Sequence, residues 1–479
     1  MGRPGFLDII VFLSGASVMT VELLATRLVA PYLGYTLFSW TAVIAVILGA
    51  LSLGYHYGGT LADRSKDLRR ILYVSVLVAG AFTIAIPLLS LLVLPLSAVL
   101  GTKYGPLLAS LCLFAPPALF FGAVLPLAAK IKTKDAARIG SSVGDLYAIS
   151  TIGSIIGTLL TGYVLIASLG IRSIFILTGL MLCAISLIGL LIDKSSGQKS
   201  RRNWFVVVLA LIIMLACIIQ STPMSIFKAD KIQLDKDSDY YRIMVLENNG
   251  TRLLVLDSDT HSGIYLNSSD FVFRYVDVAY DIISGRQPDS LLVIGLGGGT
   301  LPSKFAENGV KVDVVELDPA VVDVANEYFM MNGSVDVKID DGRTFLSWAQ
   351  RSGKRYDAVF VDVYNSHYSI PPHLTTVETA RSIGSLLNDD GIVVVNVIST
   401  VDRERPGMLG AIVSTYREVF RHVYALPLGD NSSKIQNVIM VASDSELNEY
   451  ANYSAEGIAG TILTDDYSPV DNIMADSFG

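Results

Sequence analysis

Seven apolar stretches, each near the length that crosses a bilayer, occupy the first 221 residues. A hydrocarbon core of ~30 Å takes about 20 apolar residues per helix. Lipid cannot hydrogen-bond an open backbone, so such segments are confined to helices. Spans are expected near 6–29, 38–62, 71–94, 106–130, 144–168, 171–193 and 204–221. Residues 1–221 are thus expected to form an α-helical multi-pass membrane domain.

Charge divides the chain at the same place. Residues 1–221 hold 16 Lys/Arg against 7 Asp/Glu, net +9; residues 222–479 hold 20 against 37, net −17. An acidic second half argues against a nucleic-acid partner and suits a cationic ligand, although most of these carboxylates serve a solvated surface. Lys and Arg cluster in alternate connections: Arg64, Lys66, Arg69 and Arg70; then Lys132, Lys134 and Arg138; then Lys194, Lys199, Arg201 and Arg202. These loops are expected inside a cell membrane, with the N-terminus. Seven spans then put the second half outside; one span fewer puts it inside. Five N-x-[ST] sequons, at Asn249, Asn267, Asn332, Asn431 and Asn452, agree with export. Glu22 and Arg27 in the first span and Asp145 in the fifth form a structural pair or mark a transport role. Gly153, Gly157 and Gly162 are expected at a close helix contact. Cys112, Cys183 and Cys217 all lie in apolar stretches, so the second half has neither a disulfide nor a thiolate metal site.

Residues 222–237 read as a polar linker. A small β-rich domain over 238–290 follows, with a hairpin turning at Asn248-Asn249-Gly250 and about three strands. From 291 to 479 strands alternate with helices, the pattern of a Rossmann-like, methyltransferase-type α/β domain with a doubly wound sheet. Gly295, Gly297 and Gly299 follow the strand LLVIGL and open a helix, where glycine permits a tight turn and close approach of a ligand. Glu316 ends the next strand, suited to ribose hydroxyls. Asp341-Gly342 follows the third strand and Asp362 ends the fourth. All four features sit at strand C-termini, where open α/β sheets bind ligands. His367 and His373 lie in the loop beyond; ordinary loop histidines are the simpler reading, a gate the other.

The strings SDYYRIMVLE, LLVLDSDTHS, VIGLGGGTL, VVELDP, DDGRTFL, YDAVFVDVYN and SIPPHL resemble a spermidine synthase, a polyamine aminopropyltransferase. With VELLATRLVAPYLG, LGYHYGGTLADR and VGDLYAISTIGSIIGTLLTGYVL, nearly the whole chain resembles the membrane-fused branch of that family. The resemblance implies transfer of an aminopropyl group from decarboxylated S-adenosylmethionine to putrescine or a related amine, giving spermidine and methylthioadenosine. It implies a donor used as co-substrate, no tightly bound cofactor, no metal, and a homodimer through the soluble domain. Gly295, Gly297, Gly299, Glu316, Asp341, Gly342 and Arg242 would bind the donor. Asp362 would accept the amine's proton. Tyr241, Asp257, Arg274, Tyr364 and Asn365 would face the amine, with Asp259 and Asp270 as further acids nearby.

Several positions depart from the family. Gly298 stands where the soluble enzymes place an acid in the glycine loop. Phe273, Arg274 and Tyr275 replace Tyr-His-Glu, Asn365 replaces a second aspartate, and His261 replaces a glutamine. Two other readings stay open: a methyltransferase that uses intact S-adenosylmethionine on a membrane-associated acceptor, and a non-catalytic sensor or transporter that binds a polyamine or nucleoside.

Overall fold

The structure, a computed structural model, describes residues 5–133, 139–192, 231–257, 259–268, 270–331, 333, 335–364, 369–402, 406–429 and 431–478. The chain divides into two compact units, Met1–Ile226 and Phe227–Gly479.

The first unit is helical: α1 (Phe6–Leu33), α2 (Leu37–Arg64), α3 (Leu68–Ala98), α4 (Gly101–Leu113), α5 (Ala115–Lys132), α6 (Ile139–Leu160) and α7 (Ile171–Ile192). A π-helical turn over Thr161–Leu165 carries α6 on to Ser168. Among the described residues six helices are long and apolar enough to cross a membrane: α1, α2, α3, α5, α6 with its extension, and α7. The stretch expected at 204–221 lies outside the described residues. The span expected at 106–130 is broken at Phe114 into α4 and α5. Pro116 and Pro117 cause the break, because neither has an N–H to continue the helical ladder.

Bare glycine backbone sets the closest helix contacts. A Cβ on Gly15 would overlap the Ser150 carbonyl, and one on Gly153 the Phe12 carbonyl, so α1 and α6 touch along their backbones. Gly54 and Gly122 do the same for α2 against α5, and Gly80 and Gly179 for α3 against α7. Gly157 packs as expected against Ala16, whereas Gly162 faces open space, displaced from that contact by the π turn. Lys132 pairs with Asp8 at 2.9 Å and Lys130 with Asp63 at 2.9 Å. Among the described residues Glu22 has no ion pair, and Asp145 is exposed.

The second unit opens with an antiparallel sheet of four described strands in chain order: β1 (Lys231–Asp237), β2 (Arg242–Asn248), β3 (Thr251–Leu256) and β4 (Asp259–Tyr265). β1 occupies the end of the segment expected as a linker. The β2–β3 turn falls at Asn249-Gly250, both with positive φ, as the hairpin signal requires. The helix α8 (Arg274–Ser284) leads into the larger sheet.

That sheet contains β5 (Ser290–Ile294), β6 (Lys311–Glu316), β7 (Asp336–Ile339), β8 (Tyr356–Val361), β9 (Leu387–Ser399), β10 (His422–Pro427) and β11 (Gln436–Ser443), in the order β10-β11-β9-β8-β5-β6-β7. β5 to β9 run parallel, and β11 lies antiparallel between β9 and β10. The connecting helices are α9 (Thr300–Glu307), α10 (Pro319–Tyr328), α11 (Gly342–Arg351), α12 (Val377–Gly384) and α13 (Gly407–Arg417); α14 (Val470–Phe478) ends the unit. Strand periodicity of two explains its double winding. Leu291 and Val293 join one core with Phe305, Val314 and Phe360, whereas Leu292 and Ile294 join another with Val315, Phe345 and Val359. The strand order reverses between β5 and β8, so their C-terminal ends diverge and leave a crevice there.

Candidate active site

The crevice is a cavity of about 250 Å³. One end of it is built from β5, β6 and β7. After Ile294 the chain turns through Gly295 (φ +94°), Gly297 (φ +56°) and Gly299 (φ +70°), a left-handed region open chiefly to glycine. A Cβ on Gly295 would overlap the carbonyl of Asp362, so the loop can lie against β8 only with glycine there. Glu316 accepts the Leu296 amide at 3.0 Å and the Asp318 amide at 2.9 Å. Loss of water raises its pKa despite these two donors. A carboxylate has about four lone-pair sites, so ribose hydroxyls can still be accepted. Asp341 caps α11 by accepting the amides of Arg343 at 2.9 Å and Thr344 at 3.2 Å. Its second oxygen lies 2.9 Å from His373 Nε2. Burial pushes Asp341 up, but the His373 and amide hydrogen bonds outweigh it and hold the pKa below the usual carboxylate value.

The other end is built around Asp362, just past β8. Tyr275, near the start of α8, donates its hydroxyl to Asp362 Oδ2 at 3.0 Å. Asn396 of β9, itself buried, donates Nδ2–H to Asp362 Oδ1 at 2.8 Å. Asn437 of β11 in turn donates to Asn396 Oδ1 at 2.9 Å. The Tyr364 hydroxyl accepts the Ile398 amide at 2.7 Å and so is pinned to β9. Desolvation raises the pKa of Asp362 while the Asn396 and Tyr275 donors oppose it; the net direction is upward. Burial, then the Asp362 charge, pushes the Tyr275 phenol well above its ordinary value, so it stays a donor. An electron-rich carboxylate held by two neutral donors can take a proton from a nearby amine.

Gly295, Gly297, Glu316, Asp341, Gly342, Asp362, Tyr364 and Tyr241 all line this cavity. Gly299 does not line it and instead begins α9 as its N-cap. Arg242 is turned away: its guanidinium grips Asp235 of β1 at 2.6 and 2.8 Å. Asp257 is buried beneath the hairpin, where it accepts the Arg242 amide at 2.9 Å, and does not line the cavity. Arg274, expected to face the amine, is exposed, donates to the Leu428 carbonyl at 2.8 Å and does not line the cavity. Asn365 and His367 lie outside the described residues. Asn396 reaches Asp362, and Asn437 reaches Asn396, through sheet order alone, with no local motif as a signal; Tyr275, read from the sequence only as a departure from the family's Tyr-His-Glu, meets Asp362 through the phase of α8.

The glycine at 298 also has a packing reason. A Cβ there would stand 2.7 Å from Ser262 Oγ and 3.0 Å from Phe329, so β4 and the segment after α10 fill the space a side chain needs. Gly298→Asp is therefore expected to lower stability by about 1–3 kcal/mol. Thermal unfolding of the variant checks this, and an unchanged midpoint contradicts it.

Comparison with known proteins finds relatives of this sequence. A family profile described as the spermine/spermidine synthase domain matches residues 280–428. The polyamine aminopropyltransferase of Vibrio vulnificus is 30% identical over 269 residues, covering 53% of this chain and 86% of the relative. Polyamine aminopropyltransferase 1 of Streptomyces coelicolor is 24% identical over 421 residues, covering 82% of this chain and 76% of the relative. That coverage exceeds the second unit, so the likeness reaches into the helical half. The crystal structure of a probable spermidine synthase from Corynebacterium glutamicum overlays 53% of this chain and 95% of its own, with 20% identity and a TM-score of 0.39. Thirty per cent identity across most of a relative's length, with a matching domain profile, places the chain in the polyamine aminopropyltransferase (spermidine synthase) family of transferases.

Proposed function

We propose that the protein transfers an aminopropyl group from decarboxylated S-adenosylmethionine to putrescine or a related amine. The observation that carries this reading is Asp362, held by two neutral donors at one end of a crevice whose other end has Glu316 and Asp341 for a nucleoside. In the proposed step an acceptor ammonium first gives its proton to Asp362. The freed nitrogen lone pair then forms a bond to the carbon beside the sulfonium. The carbon–sulfur bond breaks and its electron pair stays on sulfur, releasing methylthioadenosine. Burial makes Asp362 a stronger base than an exposed aspartate, which eases the first transfer. A homodimer through the second unit belongs to the same reading.

Purified full-length protein in detergent should release methylthioadenosine from the decarboxylated donor and an amine. If calorimetry finds that no adenosyl compound binds, the reading is wrong. Its pH profile carries a further expectation. Below the pKa of Asp362 the base is protonated and the rate falls. Tyr275→Phe removes a donor that stabilises the charged form, so this acid limb moves to higher pH and the rate at neutral pH drops. A limb that stays put or moves down contradicts the role given to Tyr275.

Gly298 favours one second reading. Without a loop acid, and with no room for one, the donor's tail meets no negative charge there, which suits the carboxylate of intact S-adenosylmethionine and methyl transfer. Tighter calorimetric binding of the intact donor than of the decarboxylated one would select that reading.

We further propose that the second unit faces outward. With all six apolar helices crossing, the chain would be back on the side of the N-terminus by Ile192, and the side of the second unit would turn on residues 204–221. The sequon residues Asn249, Asn267, Asn431 and Asn452 are exposed, and Asn332 lies outside the described residues. Protease added to sealed spheroplasts is expected to remove the second unit. Full protection until the membrane is opened would place it inside.

A further inference from the structure

Negative charge is distributed unevenly along the cavity. The carboxylates lining it are Glu316, Asp340, Asp341 and Asp362. The first three sit at the ends of β6 and β7, where backbone amides and His373 engage them. Among the described residues, only Asp362 brings a carboxylate to the part formed by Tyr275, Tyr364, Asn396 and Asn437. The sequence has no Asp or Glu between Val363 and Val377, so the loop after β8 supplies none either. Asp257, Asp259 and Asp270 do not line the cavity; Asp257 accepts the Arg242 amide, and Asp270 the Ser268 hydroxyl.

A diamine brings two ammonium groups. One can rest on Asp362. Among the described residues lining this part of the cavity, the other would meet amides, phenols, the Thr260 hydroxyl and the His261 ring but no second carboxylate, and an ion taken out of water needs a countercharge as well as hydrogen bonds. A neutral hydroxyl needs only hydrogen bonds. Asn437 is placed to supply them: its Nδ2 is directed to Asn396, and it lines the cavity one residue further from Asp362 along the amide relay.

We infer that the acceptor is a primary amine with a single positive charge and a neutral hydrogen-bonding group at its far end, with Asn437 as the residue that selects it. This rests on the aminopropyl-transfer reading and narrows its amine. Asp362 takes the one ammonium's proton, and the new carbon–nitrogen bond forms as the carbon–sulfur bond breaks, so no other reactant is required.

The test measures kcat/KM for methylthioadenosine release by the full chain in detergent, with the decarboxylated donor. The acceptors are putrescine and the amino alcohol of the same chain length. The amino alcohol is expected to be preferred by roughly tenfold. Asn437→Asp supplies the missing carboxylate and is expected to shift the ratio toward putrescine by roughly tenfold. Putrescine used as well as or better than the amino alcohol by the wild type overturns the inference alone. So does an Asn437→Asp variant that turns over with an unmoved ratio. If that variant does not fold, the wild-type ratio decides. Silence with every amine overturns aminopropyl transfer itself, and the inference with it.

Discussion

Asp362→Asn is expected to slow aminopropyl transfer by about 10²–10⁴-fold, the usual contribution of a positioned general base, while donor binding survives. The substitution is nearly isosteric, and the local hydrogen bonds can persist. The Asn396 amide must meet an acceptor, so the new side chain would keep its oxygen toward Asn396 and turn its NH₂ toward Tyr275. A phenol hydroxyl can accept as well as donate. The geometry therefore holds while the proton acceptor is lost. Glu316 and Asp341 take their partners from Leu296, Asp318, Arg343, Thr344 and His373, none of which touches Asp362 through its side chain. Methylthioadenosine release and calorimetric binding of the nucleoside, measured on the same preparation, separate the two effects. A rate within threefold of wild type would remove Asp362 from the chemistry.

Gly295→Ala should do more damage than its single methyl suggests. The residue sits at φ +94°, where a Cβ costs about 1–2 kcal/mol. That Cβ would also overlap the Asp362 carbonyl oxygen, backbone that cannot swing aside, and overpacking of this kind costs about 1–3 kcal/mol. A loss of about 2–5 kcal/mol is expected in total. Any relief must come from separating the loop from the end of β8, which carries Asp362 away from the donor. A misplacement of about 1 Å can cost roughly 10²-fold in rate. Thermal unfolding and turnover should therefore fall together. Wild-type stability in the alanine variant would mean that the loop does not lie against β8 as described.

The nucleoside end was legible because each of its residues belongs to a local pattern. Gly295, Gly297 and Asp341 each follow a recognisable strand and Glu316 ends one, and strand ends in an open α/β sheet gather on one edge; Asp362, at the amine end, was legible in the same way. The rest of the amine end has no such pattern. Asn396 and Asn437 lie on β9 and β11, adjacent only because β11 inserts between β9 and β10. Tyr275 and Arg274 are neighbours in sequence, and the phase of α8 alone decides that the tyrosine meets Asp362 while the arginine meets Leu428. Arg242 was drawn toward the donor by likeness, but Asp235 claims its guanidinium from a strand that the sequence disguised. β1 reads KIQLDKD, too charged to look like a strand, yet Ile232 and Leu234 carry a period of two on an exposed edge. In the helical unit hydropathy is continuous through Phe114, so only the paired prolines hinted at a break.

The glycine-lined contact between α1 and α6 has a consequence for biogenesis. α1 ends at Leu33 and α6 begins at Ile139. At about 5–20 residues per second, synthesis of the intervening chain takes on the order of 10 s. Throughout that interval the first helix is without the partner whose backbone it touches at Gly15 and whose Thr161 bonds its Thr20 at 2.9 Å. By contrast, α5 can close against α2 and α3 before α6 exists, and α1 already has α2 and α3 beside it. The α1–α6 seam thus closes late, so whatever shelters that face of α1 in the nascent state is part of how this protein is made.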